Sequence, residues 1–397
     1  MSGYQGCPDI SNRMSLGALV LLALLSGCGG GGPGNGDGGG GGGGGGPPDS
    51  DAPTVTAMTP GENSTVLGTN SKLTATLSEA MIPDLINFSG PIDPATGIPA
   101  KFRLTDGATF LSGAVSYDAT NHIAVFTPTV ALVPGQKYTA TIITGIKDLS
   151  GNPLTTDFAW CFEASAGRDT TPPGATFTDA AANVAVNRRI TATFSKDMDA
   201  FTITPASFTV TGPGATAVSG TATYLARTAV FRPSADLLSS TLYTATIAAG
   251  VRDLAGNASP ANVTWSFTTG AGADVTAPAV NSTNPTANES GVGISRTINV
   301  TLSEPMDPAT ITTATFLVSG PGAAPVMGTV AFNASNNTAT FTRLNHSVTP
   351  GVCEPTPASW LEPNTTYTAA LTTGAKDMAG NALASNLVWS FTTGANP

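Results

Sequence analysis

Val251-Arg-Asp-Leu-Ala-Gly-Asn-Ala-Ser-Pro-Ala-Asn-Val-Thr-Trp-Ser-Phe-Thr-Thr-Gly270 is the stretch that decides the fold, because a copy of it closes each of three consecutive segments. The other copies are Ile146-Lys-Asp-Leu-Ser-Gly-Asn152 with Phe158-Ala-Trp-Cys-Phe162, and Ala375-Lys-Asp-Met-Ala-Gly-Asn381 with Leu387-Val-Trp-Ser-Phe-Thr-Thr-Gly394. Each couples a tight acidic turn to a strand with apolar residues at every second position, as the last loop and last core strand of a β-sandwich do.

Upstream of that stretch the same programme runs three times. Leu73-Thr-Ala-Thr-Leu-Ser-Glu79, Ile190-Thr-Ala-Thr-Phe-Ser-Lys196 and Ile298-Asn-Val-Thr-Leu-Ser-Glu304 are each followed two residues later by a methionine: Met81, Met198 and Met306. Tyr138-Thr-Ala-Thr-Ile142, Tyr243-Thr-Ala-Thr-Ile247 and Tyr367-Thr-Ala-Ala-Leu371 lie between that segment and the acidic turn. Alternation such as Ile190/Ala192/Phe194 places the apolar set on one face of a sheet and the hydroxyls on the other. Several such strands separated by Gly, Pro, Asn and Asp turns specify an antiparallel sandwich. Trp160, Trp265 and Trp389 are expected at equivalent core positions.

The fold class is therefore all-β, with three tandem sandwiches over residues 51–166, 167–273 and 274–397. Trp265 and Trp389 are farther apart than Trp160 and Trp265, which locates an insertion near 343–364 containing Cys353 and Trp360. Charged residues make up only 11% of the chain and the formal net charge is −10, so a nucleic-acid partner would lack its usual electrostatic contribution.

The amino terminus reads as an address. Arg13 precedes the apolar run Leu16–Leu25, which has the length of a secretory signal core and is short for a membrane span. Leu25-Ser-Gly-Cys28 resembles the lipobox of bacterial lipoproteins. That resemblance implies a signal peptide over 1–27, lipidation of Cys28 and, with Gly29 following, an outer-membrane or cell-surface location. Residues 28–50 form a Gly-rich tether that cannot bury enough apolar surface to fold, with a mean span of about 26 Å as a coil.

The order of motifs over residues 51–397 resembles the bacterial Ig-like domain family of the SbsA type, found in surface-layer proteins and exported lipoproteins. The family implies modules that serve as spacers, adhesive stalks or interaction modules. It also implies Ca²⁺ at module junctions, where Asp148 with Asp169, and Asp253 with Asp274, would begin two oxygen-ligand sites. A purely structural turn explains Asp148, Asp253 and Asp377 fully, and the cations Lys147, Arg252 and Lys376 immediately before them weigh against a metal.

Catalysis is not expected. His122 and His346 lie in different modules and no Gly-x-Ser-x-Gly, His-Glu-x-x-His or Ser-x-x-Lys motif occurs. Cys161 and Cys353 fall in modules one and three, which would have to fold back to bridge them, so free thiols or an intermolecular bond are expected. The outward threonines, Thr191/Thr193 and Thr244/Thr246, are expected for strand propensity alone. The expected protein is a non-catalytic envelope lipoprotein, with a membrane as partner through its lipid. The alternative is a carbohydrate-binding or envelope-scaffold protein that contacts a glycan or envelope protein through Trp360 in the insertion.

Overall fold

The computed structural model describes residues 49–86, 101–177, 181–344 and 361–395. These residues form three β-sandwiches in chain order; their only helical pieces are three-residue 3-10 turns. In module 1 one sheet runs β1 (Val55–Thr59), β3 (Leu73–Leu77), β6 (Ile123–Pro128), β5 (Gly113–Asp118). The facing sheet runs β2 (Ser64–Leu67), β8 (Phe158–Ala164), β7 (Lys137–Ile142), β4 (Phe102–Thr105).

Module 2 repeats this order with β9 (Ala175–Thr176), β10 (Ile190–Phe194), β13 (Thr228–Pro233) and β12 (Gly220–Leu225) in one sheet. Its second sheet holds β11 (Phe208–Thr211), β14 (Leu242–Ile247) and β15 (Val263–Thr268). Module 3 follows with β16 (Val280–Asn284), β17 (Ile298–Leu302), β20 (Thr338–Arg343) and β19 (Gly328–Asn333) against β18 (Phe316–Ser319), β21 (Thr366–Leu371) and β22 (Leu387–Thr392). The strand pairs are antiparallel except at the start of each module, where the chain crosses to run parallel to the last strand. In module 1 this is β2 beside β8; in the others it shrinks to single bridges, Val184 with Thr269 and Val292 with Thr393.

The alternating pattern explains the core. Ile190, Ala192, Phe194, Tyr243, Ala245 and Ile247 are all buried, as are their counterparts in the other modules. Each module stacks its tyrosine on the phenylalanine of the closing strand: Tyr138 on Phe162, Tyr243 on Phe267, Tyr367 on Phe391. The three tyrosine hydroxyls accept hydrogen bonds from the backbone N–H five residues upstream, Val133 at 2.9 Å, Leu238 at 2.9 Å and Glu362 at 2.8 Å. This is the tyrosine corner of Ig-type sandwiches, and it gives the Tyr-Thr-Ala repeat a structural reason.

The tryptophans occupy equivalent strand positions but not equivalent surroundings. Trp160 and Trp389 are buried against Phe102 and Phe316. Trp265 is only partly buried and instead stacks on Phe177 at 5.6 Å and Phe267 at 4.8 Å. The opening strand of module 2 spans Ala175–Thr176, against five residues in β1 and in β16.

One device joins module 1 to 2 and 2 to 3. The Asn70 amide accepts from Asp169 N at 2.8 Å and donates to Asp169 O at 3.0 Å. Asn187 does the same to Asp274, both at 2.9 Å. Lys72 N donates to Leu254 O and Arg189 N to Met378 O, each at 2.9 Å. Lys72 and Arg189 add ion pairs with Asp199 and Asp307. Leu344 of module 3 packs in the module 1 core cluster, while Ile123 and Val125 of module 1 pack in that of module 2. The expectation of separate sandwiches holds, but the three close on one another instead of extending as a rod.

Candidate functional site

The acidic turn has the same geometry three times. Asp148, Asp253 and Asp377 are each only 1% exposed. One carboxylate oxygen accepts from the backbone N–H of the turn asparagine, Asn152, Asn257 or Asn381, at 2.8 Å in every copy. The other accepts from the same asparagine's Nδ2, at 2.7, 2.9 and 2.8 Å. The glycine before the asparagine takes φ of +94°, +88° and +99° at Gly151, Gly256 and Gly380, where a Cβ would be strained.

The asparagine Nδ2 also reaches a carbonyl in the segment that opens its own module: Asp49 at 3.1 Å, Asp169 at 3.2 Å and Asp274 at 3.1 Å. This decides which aspartates meet. Asp148 lies with Asp49, Asp253 with Asp169, and Asp377 with Asp274. The expected partnerships, Asp148 with Asp169 and Asp253 with Asp274, are thus displaced by one module. The turn captures the start of its own sandwich; Asn70 and Asn187 provide the tie to the sandwich before.

A third residue completes each cluster. Isolated bridges pair Met81 with Asp148, Met198 with Asp253 and Met306 with Asp377, which sets the residue two before each methionine beside the aspartates. That residue is Glu79 in module 1, Lys196 in module 2 and Glu304 in module 3. In modules 1 and 3, Asp49, Glu79 and Asp148, and Asp274, Glu304 and Asp377, bring carboxylate oxygens within 4.8 Å of one another. Burial, then Asp148 and Asp49, push the Glu79 carboxyl up to about 7. Glu304 is raised in the same way by burial, Asp377 and Asp274, with Arg188 of module 2 acting against them.

In module 2 the Lys196 ammonium fills this position. It lies 2.8 Å from Asp253 Oδ2, pairs with Asp169, and donates to Thr171 O at 2.6 Å. Burial pushes its pKa down, but the two aspartates outweigh this and hold it above the ordinary lysine value. Lys147 and Lys376, the residues before the turn aspartates, are exposed, and Arg252 turns away to donate to Gly256 O at 2.8 Å.

A cleft of about 860 Å³ opens where the three modules meet. Thr74 and Ile123 of module 1, Tyr224 and Arg227 of module 2, and Thr329 and Arg343 of module 3 are among the residues on its walls. Glu62 also lines it; burial pushes its carboxyl up to about 7, against the Cys161 N–H that donates to it. Among the described residues the cleft holds no nucleophile hydrogen-bonded to a general base.

Of the other expected residues, Cys28, Trp360, His346 and Cys353 lie outside the described residues. His122 sits in the turn between β5 and β6 at φ +56°, with its pKa lowered by burial. Cys161 is buried and disulfide-bonded, which corrects the expectation of a free thiol or an intermolecular bond. A thiol in that bond has no proton, so Thr139 Oγ1 is the donor in its 3.3 Å contact with Cys161 Sγ. Thr191 is buried, and Thr244 meets Ser266 across the strands at 3.1 Å, so the threonine rows are packed or paired.

Residues 49–164, 169–269 and 274–393 each match the bacterial Ig-like domain family. No curated protein sequence matches the chain. Among solved structures, domains 1–6 of the surface layer protein SbsC align with 88% of this chain and 55% of that one, at 14% identity and a TM-score of 0.23. The chain thus spans about half the length of that surface-layer structure. The tetra-tandem repeat in the extending region of a large adhesion protein aligns over 87% of this chain and 74% of that one, at 16% identity and a TM-score of 0.20. Native alpha-2-macroglobulin from Escherichia coli, spanning domains MG0-NIE-MG1, aligns over 85% and 97%, at 13% identity and a TM-score of 0.21.

Proposed function

The chain belongs to the bacterial Ig-like domain family, and we propose that it is a non-catalytic envelope lipoprotein that presents three closed-up sandwiches as an interaction module. The observation that carries this reading is the double use of one junction. Asn70 and Asn187 clamp the next module identically, and the ion pairs of Lys72 and Arg189 repeat with them. Such a repeat builds a defined surface from parts that are individually only packing units. Cys28 and the Gly-rich tether would hold that surface near a membrane while leaving it free to turn. Among the described residues no helix is long and apolar enough to cross a membrane.

Metabolic labelling with a palmitate analogue tests the anchor: Cys28→Ala should lose the label and move the protein to the soluble envelope fraction. Protease treatment of intact cells tests the surface location. Label retained by Cys28→Ala, or full protection from protease until the outer membrane is opened, would remove the corresponding part of the reading. A second reading, carbohydrate binding or envelope scaffolding, is favoured by the mixed polar and apolar walls of the three-module cleft. A glycan array probed with the protein and with Arg343→Ala would distinguish it.

A further inference from the structure

Taking the chain as an interaction module, we infer that module 1 docks an Ig-like module of a separate chain, on the face by which modules 2 and 3 are each held by the module before them. The partner carries an asparagine followed two residues later by an uncharged side chain. The face is occupied twice within this chain and present a third time, on module 1, with its apolar residue exposed.

The face consists of the acidic turn and the segment that opens the module. In module 2 it offers the Asp169 backbone, Leu254 O and Ala255 O. The Asn70 amide takes the Asp169 backbone and donates to Ala255 O at 2.9 Å, while Lys72 N takes Leu254 O. Module 1 comes so close there that a Cβ on Gly68 would lie 2.6 Å from Asp169 Cβ. Leu254 is accordingly 5% exposed, and Met378, the same turn residue in module 3, is 2% exposed.

Asp49, Leu149 and Ser150 hold the places of Asp169, Leu254 and Ala255 in module 1, and all three are exposed, Leu149 to 68%. One exposed leucine alone means little. The same position buried twice under a neighbouring module defines what would cover it. The partner's chemistry follows from one difference. Lys72 and Arg189 pair with Asp199 and Asp307, each the residue after a bridging methionine, and in module 1 that residue is Ile82. A cation set there would lose water with no carboxylate at that position to meet it, so a neutral side chain faces Ile82. A second copy of this chain does not fit. Asn70 and Asn187 are engaged internally, and the outgoing end of module 3 has Ser295 in the place of the asparagine.

That outgoing end supplies the probe. Module 3 has Gly293 and the neutral Thr297 at the positions of Gly68 and Lys72, so Ser295→Asn completes it. The donor chain carries Ser295→Asn together with Leu149→Asp, which leaves it a single joining end, and Cys28→Ala in every chain keeps lipid from driving association. Sedimentation velocity of the donor mixed with the otherwise wild-type chain should show a 1:1 complex, with circular dichroism confirming that each chain is folded. Leu149→Asp in the receiving chain should weaken that complex by about tenfold or more, as loss of a buried leucine contact does. No complex between folded chains at up to about 100 μM, or one indifferent to Leu149→Asp, would overturn the inference. So would wild-type dimers abolished by Leu149→Asp, which would make a second copy the occupant. Lipid labelling and protease accessibility read the envelope address separately, so failure here leaves the interaction-module reading standing.

Discussion

Replacing Asp253 by alanine should destabilise module 2 by about 3 kcal/mol, within a range of about 2–5. The magnitude comes from what the carboxylate leaves behind. Oδ1 accepts from Ala255 N at 3.0 Å and Asn257 N at 2.8 Å, and the residue is 1% exposed. Losing the acceptor strands two N–H groups in a site largely closed to water, at about 1–3 kcal/mol each before relaxation. Oδ2 costs less, because Lys196 keeps Asp169 and Thr171 O, and Asn257 Nδ2 keeps Asp169 O at 3.2 Å. Asp253→Asn retains an oxygen for both N–H groups but turns an NH₂ donor toward Asn257 Nδ2 and the Lys196 ammonium, so it should cost about 2 kcal/mol, less than the alanine. Asp148→Asn, which relieves carboxylate crowding, should cost less than Asp253→Asn when both are measured in chelator. Hydrogen exchange followed by mass spectrometry on peptides from β14 and β15 reads module 2 separately from its neighbours. An alanine variant within 0.5 kcal/mol of wild type, or an asparagine as costly as the alanine, would refute the reasoning.

Trp160→Ala should cost its module about 3–5 kcal/mol, and Trp265→Ala measurably less because its ring is only partly buried; equal losses in denaturant melts would contradict the packing described. Glu62 has a folded pKa of about 7, above the 4.5 of the free group, so the folded state binds the extra proton between those values and stability falls as pH rises through that window. Solvent screening limits the effect to about 1 kcal/mol, and Glu62→Gln should flatten the pH dependence of melting between pH 4.5 and 7; an unchanged slope would count against it. Small-angle scattering from residues 49–397 should give a radius of gyration of about 20–23 Å, as for a compact body, whereas a linear array would give roughly 33 Å.

The sandwich was legible because inward aromatics and outward hydroxyls alternate in three copies, and burial follows that alternation at Ile190, Ala192 and Phe194. The acidic turn was legible too, down to the glycine that takes positive φ. Which aspartates meet was not, because the tie runs through an asparagine side chain to a backbone carbonyl, and carbonyls leave no mark on a sequence. The signal that could have found the clusters is the single position two before each methionine, which reads Glu, Lys, Glu along the chain. The closing of module 3 onto module 1 was hidden for another reason: it depends on contacts between modules, such as Leu344 in the module 1 core, that no repeat considered alone displays.

The asparagine clamp has a consequence for handling the protein as a building material. Asn70 and Asn187 each grip both polar groups of the following aspartate's backbone, so this part of the join reads main chain, while Asp199 and Asp307 are the side chains a module placed beyond it would have to keep. In the third unit the aligned residue is Ser295, whose single oxygen lacks the separate acceptor and donor atoms that the asparagine amide sets against the two backbone groups. A graft placed downstream would therefore swing loosely until Ser295→Asn restored the latch, after which the pitch of the whole assembly could be lengthened one unit at a time.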